Sequence, residues 1–402
     1  MKKIVFITAI FITLNVASQN VGIGTNNPAF KLDVNGNLNI KGDSTIYMYG
    51  SKIFSIKGSN NLFVGIGSGS SITSGSYNTA IGLNALHVNT SGSYNTSTGY
   101  NALSSNTTGS YNLAEGSQSL QNNVSGNQNT AIGLNALFSN TSGGTNTALG
   151  MYSLYSNNTG TVNTSVGYKT LYSNTSGVSN TGIGMWANFY STTANGNTAL
   201  GLSAGDNYSN GNYNTFVGYN AYANAAAYSN SSVLGYNTTM SASNQMRFGN
   251  TSITSIGGQV GWSTISDARV KRNIQKNVPG LDFILKLHPV TYNIDVATTD
   301  KLLHQDEIKL HDGQTAPVVT QEELNARDAK SKIVYSGFIA QDVEAIAKSV
   351  GYDFSGVDVP KNDKDLYGIR YAEFVVPLVK AIQEQQIMIE QLKKEIELLK
   401  QK

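Results

Sequence analysis

The chain has 402 residues, a formal net charge of +2 and no cysteine. A nearly balanced charge gives no basic field for nucleic acid and no acidic field for cations. Without thiols there is no disulfide, thiolate zinc site, Cys nucleophile or lipid-modified N-terminal Cys. The balance also hides an uneven distribution. Between Asn61 and Gln245 the only ionic side chains are Glu115, Lys169 and Asp206, whereas both signs are frequent from Asp267 onward.

In chain order, Lys2 and Lys3, the apolar run Ile4 to Val16 and the small Ala17 and Ser18 have the charged, apolar, small-residue order of a secretory signal peptide over residues 1–18. That order predicts a mature start near Gln19 and a secreted or cell-surface protein. The apolar run is short for a membrane span, so no stable span is expected. Residues 19–60, with Val21-Gly22-Ile23-Gly24 leading into the alternating Lys31-Leu32-Asp33-Val34, read as a strand-rich cap.

Residues 61–250 carry a 17-residue repeat. Asn61, Asn78, Asn95, Asn112, Asn129, Asn146, Asn163, Asn180, Asn197 and Asn214 recur at that spacing, each followed four residues later by a glycine, Gly65 through Gly218. A unit this short cannot bury an apolar face alone, so neighbours must stack as a β-solenoid or β-roll. Two apolar columns are assigned to its core: Val64, Ile81, Ile132, Leu149, Val166, Ile183, Leu200 and Val217, and Leu86, Leu103, Leu120, Leu137, Leu154 and Leu171. Side chains alternate along a strand. With Ile81 inward, the small column Ala80, Ala131, Ala148 and Ala199 would face outward, where another backbone could approach. A third column, Gly75 through Gly177, suits tight turns.

Other signals here are weaker. Gly-x-Gly pieces such as Gly65-Ile66-Gly67 precede no helix, which argues against a nucleotide-binding loop. The repeat generates Asn-x-Thr/Ser triplets automatically. The threonine column from Thr79 to Thr215 could order water, but it shares the Ile81 face and reads better as semi-buried strand hydroxyl. Glu115 interrupts an apolar column without explanation.

After a linker, 251–265, the sequence becomes charged and mixed. Ser266-Asp267-Ala268-Arg269-Val270-Lys271-Arg272-Asn273-Ile274 opens it. Leu287-His288-Pro289-Val290-Thr291-Tyr292 follows, then Gly337-Phe338-Ile339-Ala340-Gln341-Asp342-Val343-Glu344, then Tyr371 and Val379-Lys380-Ala381-Ile382-Gln383-Glu384-Gln385. These motifs, in this order from Ser266 to the end, resemble the endosialidase-type intramolecular chaperone domain, also classed as a self-cleaving serine peptidase. The resemblance implies a domain over 266–402 that drives trimerisation of the preceding fibre and then cuts itself off, here between Ile265 and Ser266. It also implies Ser266 and Lys271 as the catalytic pair.

The chemistry stands on its own terms. A serine hydroxyl becomes a good nucleophile when a base removes its proton, and a lysine serves as that base in its neutral form. Burial and neighbouring cations, here Arg269 and Arg272, favour that form. Taken alone, Ser266-Asp267 also fits a helix N-cap. His288, His304 and His311 offer neither a triad nor metal-ligand spacing, and no metal or cofactor is expected. Ile265, β-branched and bulky at the scissile carbonyl, would make cleavage slow or absent.

The chain closes on heptad spacing over 378–402: Leu378, Ile382, Gln385, Ile389, Leu392, Ile396 and Leu399. That is a coiled-coil seam, although Ile at one core column and Leu at the other favours two strands by peptide rules. The expected architecture is mainly β: a solenoid stalk, then an α+β chaperone module ending in a coiled coil, as a homotrimer. The expected function is a self-processing, adhesin-like surface fibre. The alternative is a structural adhesin in which the same module remains as a permanent trimer anchor. A cell-surface or glycan ligand is conceivable, but no residue specifies one, and the repeats lack the paired carboxylates of a glycan-cleaving enzyme.

Overall fold

A computed structural model describes residues 21–23, 32–34, 43–206, 210–225, 227–303 and 320–401. The signal-peptide segment 1–18 and the histidines 304 and 311 lie outside them. The repeats form a β-solenoid of about 11 turns, followed by a small helical and β region.

Each coil contributes a three-residue strand, and the strands stack parallel with a 17-residue offset, so that Thr79 pairs with Thr96, Ala80 with Ser97 and Ile81 with Thr98. This sheet has 14 strands among the described residues. At its N-terminal end a hairpin, Ser44–Met48 and Ser51–Ile56, adds antiparallel to Leu62–Val64 and covers the edge that a stack must protect. At the other end the last coil is shortened, since Ser232 pairs with Met246.

The assignment of columns is half corrected. The Leu86 to Leu171 column is fully buried, as expected. The Ile81 column is not: Ile81, Leu149, Ile183, Leu200 and Leu234 face outward and are 40–46% exposed. The small column is the interior one, with Ala80, Ala114, Ala131, Ala148 and Ala199 at 0% exposure. The physical reason is the width of the coil. One leucine per turn already spans the interior, so the residue opposite must be small. The N-terminal end shows the same volume rule with the sizes exchanged. Phe63 occupies the alanine column where Gly69 replaces leucine, and a Cβ on Gly69 would lie 2.4 Å from the Phe63 ring. Near the other end the Phe216 ring packs on Gly205 of the preceding coil, 2.9 Å from a Cβ there. Thr79 and its equivalents share the outward face, half-buried to exposed.

Two buried asparagine columns complete the interior. In the first, each Oδ1 accepts the backbone N–H of the Asn one coil on at 2.8–3.0 Å, from Asn61–Asn78 to Asn197–Asn214. Its Nδ2 donates to a carbonyl 14 residues ahead, as from Asn129 to Gly143 at 2.8 Å. In the second, Asn106 donates to Asn89 Oδ1 at 2.9 Å and the pattern runs on to Asn174. The anchors that reveal the period are therefore a structural ladder that satisfies buried amides. The Gly92-type column is glycine because coils approach closely there: a Cβ on Gly92 would lie 2.2 Å from the Gly109 carbonyl oxygen. Turn geometry alone does not explain it.

Among the described residues the C-terminal region has five α-helices: α1 (Leu281–Ile284), α2 (Val296–Leu302), α3 (Gln321–Ser331), α4 (Ala340–Ser349) and α5 (Val375–Lys400). Strand Val290–Tyr292 pairs antiparallel with Tyr335–Gly337, and Val357–Asp358 with Gly368–Ile369. Phe283, Val343, Ala347, Phe354 and Phe374 form its core. Helix α5 buries only Pro377 and Ala381. Its seam residues Leu378, Ile382, Ile389, Leu392, Ile396 and Leu399 are 44–69% exposed. Among the described residues no helix is long and apolar enough to cross a membrane.

Candidate functional site: a serine and a lysine in one turn

Ser266 to Arg272 fold as a tight turn. Asp267 makes it: its carboxylate accepts the Arg269 backbone N–H at 2.8 Å and the Arg269 guanidinium at 2.6–3.1 Å, and its carbonyl accepts from Val270 at 3.2 Å. The Arg269 guanidinium also holds the Asp267 carboxyl below the usual carboxylate range. The chain thus doubles back, and Lys271 Nζ reaches Ser266 Oγ at 2.8 Å. Arg272 donates to the carbonyls of Arg269 and Lys271 at 2.8 and 3.0 Å and closes the turn.

The two candidate residues are therefore brought together within one chain. No helix begins at Ser266, so the N-cap interpretation falls away. Arg269 is paired with Asp267 at 2.6 Å. In the single chain both Ser266 and Lys271 are exposed. So are the large apolar side chains around them: Val260, Trp262 and Ile265 are 85–86% exposed, and Val270 and Ile274 are 65% and 73% exposed. His288 is exposed as well.

The remaining motifs converge elsewhere, on Tyr371. Val290 pairs with Gly337, and Tyr371 Oη accepts the Phe338 backbone N–H at 3.2 Å. A Cβ on Gly337 would lie 2.1 Å from that oxygen, which explains the glycine. Burial, followed by the charge and hydrogen bond of Tyr371, pushes the Tyr292 hydroxyl up. An open cleft of about 830 Å³ lined by Tyr292, Phe338, Gln341, Tyr367 and Tyr371 lies beside it. Neither Ser266 nor Lys271 lines that cleft.

Residues 266–352 match the Peptidase S74 family, the chaperone of endosialidase. The match begins at the serine of the Ser–Lys turn and takes in the His-Pro-Val and Gly-Phe-Ile-Ala-Gln motifs. Tyr371 and α5 lie beyond it. The family is associated with trimeric fibres, and its C-terminal placement after a solenoid suits a spike- or fibre-type protein. No curated protein matches the chain.

Sequence reasoning missed the asparagine ladders and the contacts between module and solenoid. The ladders announce themselves through period and residue type. The contacts give no sequence signal.

Proposed function

We propose that this chain is an exported, homotrimeric surface fibre whose Peptidase S74 module drives assembly and then cleaves the bond between Ile265 and Ser266. The carrying observation is the 2.8 Å approach of Lys271 Nζ to Ser266 Oγ at the first residue of the family match. In the proposed step the Lys271 amine takes the hydroxyl proton and Ser266 Oγ attacks the Ile265 carbonyl carbon. The C–N bond breaks, and the Ser266 nitrogen leaves as a protonated amine. Water then hydrolyses the Ile265 ester, giving a carboxylate and regenerating the hydroxyl.

Assembly acts as the trigger. Trp262, Ile265, Val270 and Ile274 are exposed in one chain, and neighbouring chains that covered them would remove water from the amine and favour its neutral, basic form. The exposed seam of α5 and the outward apolar columns of the solenoid supply contacts between chains. Columns repeating at about 4.8 Å per strand match the pitch of another copy of themselves.

A second reading, a non-cleaving trimer anchor, is favoured by one observation: the module is bound to the end of the solenoid by its own polar contacts. Denaturing gels of wild type, Ser266→Ala and Lys271→Met separate the two. Self-cleavage expects a fragment of residues 266–402 in wild type alone. Equal full-length bands in all three would leave only the anchor. Sedimentation of the full chain should give three copies.

A further inference from the structure

The module does more than follow the solenoid. It docks on the last coils through two polar clusters, each built around a buried carboxylate. Asp365, whose side chain is 4% exposed, accepts from Ser241 Oγ at 2.7 Å and pairs with Arg247 Nη2 at 3.1 Å. Gln245 Nε2 donates to the same carboxylate at 3.2 Å. Beside it Asn362 donates to the Ser241 carbonyl at 2.9 Å, and Lys364 Nζ to the Asn224 carbonyl at 3.0 Å. The second carboxylate, Asp300, is 8% exposed at the side chain. It accepts from the Thr251 hydroxyl and pairs with Arg327 at 2.9 Å. Arg327 also holds Glu323 at 3.0 Å, and Tyr236 of the solenoid donates to that carboxylate at 3.3 Å. Lys330 Nζ caps the Ile253 carbonyl at 2.6 Å.

Beyond the Ile253 carbonyl the covalent connection contributes none of this. Every residue from Ile253 to Ser266 is exposed, and a Cβ on Gly257 or Gly261 would meet nothing within 4 Å. A slack, solvent-facing linker adds effective concentration and little else. The buried carboxylates, in contrast, each find partners on the opposite element, the arrangement that makes removal of one partner costly.

We propose that the last coils of the solenoid, centred on Ser241, Arg247 and Thr251, are a specific binding surface for the chain's own C-terminal module, and that the surface holds the module after the backbone between them is cut. It rests on the reading above only in taking Ser266 as the first residue of the severed piece. A self-cleaved fibre is then a two-piece complex in which the module seals the open end of the stack, and ionic strength governs its release.

The test uses the full chain carrying Ser266→Ala, with a site-specific protease sequence inserted after Gly257. After cutting, the two pieces should co-elute from a sizing column at about 0.1 M salt and separate near about 1 M, where charge pairs are screened. Asp365→Asn, or Thr251→Val with Arg327→Ala, should weaken the complex at least tenfold, while the uncut variants elute like uncut wild type. Separation of wild-type pieces at the lower salt, or equal retention in the variants, would overturn the proposal. Because the engineered cut does not depend on Ser266, docking and self-hydrolysis fail independently.

Discussion

The solenoid and the C-terminal module solve the same problem with opposite materials. The solenoid repeats one small interior, a leucine, an alanine and two asparagines per coil, almost without charge. Its stability accumulates coil by coil. The module uses every core position once, around Phe283, Phe354 and Phe374, and places two buried carboxylates, Asp365 and Asp300, at the contacts it makes with the last coils. The difference teaches that repetition specifies a cross-section very well and an end point poorly. A coil reads the same wherever it stands, so the hairpin at one end and the charged module at the other must say where the stack begins and stops.

The comparison breaks most readily at the cores. Phe283→Ala should cost the module about 3–5 kcal/mol and leave the solenoid's unfolding unchanged, seen as a shift in only one of two calorimetric transitions. A single shifted transition would mean that the regions fold as one. Leu137→Ala, at a fully buried position, should cost the solenoid about 2–5 kcal/mol. Leu149→Ala on the outward face should cost a dissociated chain under about 1 kcal/mol. Comparable losses in chemical denaturation would mean the columns are reversed.

Finer tests concern the surfaces. Glu115 stands exposed in the outward apolar column, so in a trimer joined along that face it places a carboxylate among neighbours. Glu115→Leu should tighten association severalfold by sedimentation, whereas a face that stays in water would show no change. The smallest effect is expected from acid. Burial pushes the Asp365 carboxyl up, but hydrogen bonds from Ser241, Lys361 and Gln245, with the Arg247 cation, outweigh it and leave the group below its ordinary value. A depressed folded value stabilises above the unfolded one, near 4, and that contribution fades as pH falls through the folded value. The docked state should therefore weaken below about pH 4, and Asp365→Asn should flatten that part of the profile.

Much of this molecule was legible in its residues. The 17-residue spacing of Asn and Gly required stacked coils in register, and Leu86 and its equivalents read correctly as core. The motifs from Ser266 onward were legible as one family's module, and the five-residue spacing of Ser266 and Lys271 is one that a turn at Asp267 closes to 2.8 Å. The reason is that repetition, turn chemistry and short motifs are local. Which face of each strand turns inward was not local. Alternation places Ala80 and Ile81 on opposite sides, but only the closed coil, already filled by Leu86, decides that alanine goes in and isoleucine out. The same holds for Asp365 and Asp300. Their partners Ser241, Arg247 and Thr251 lie far away in sequence, and the packing of the module on the last coils alone brings those charges out of water together.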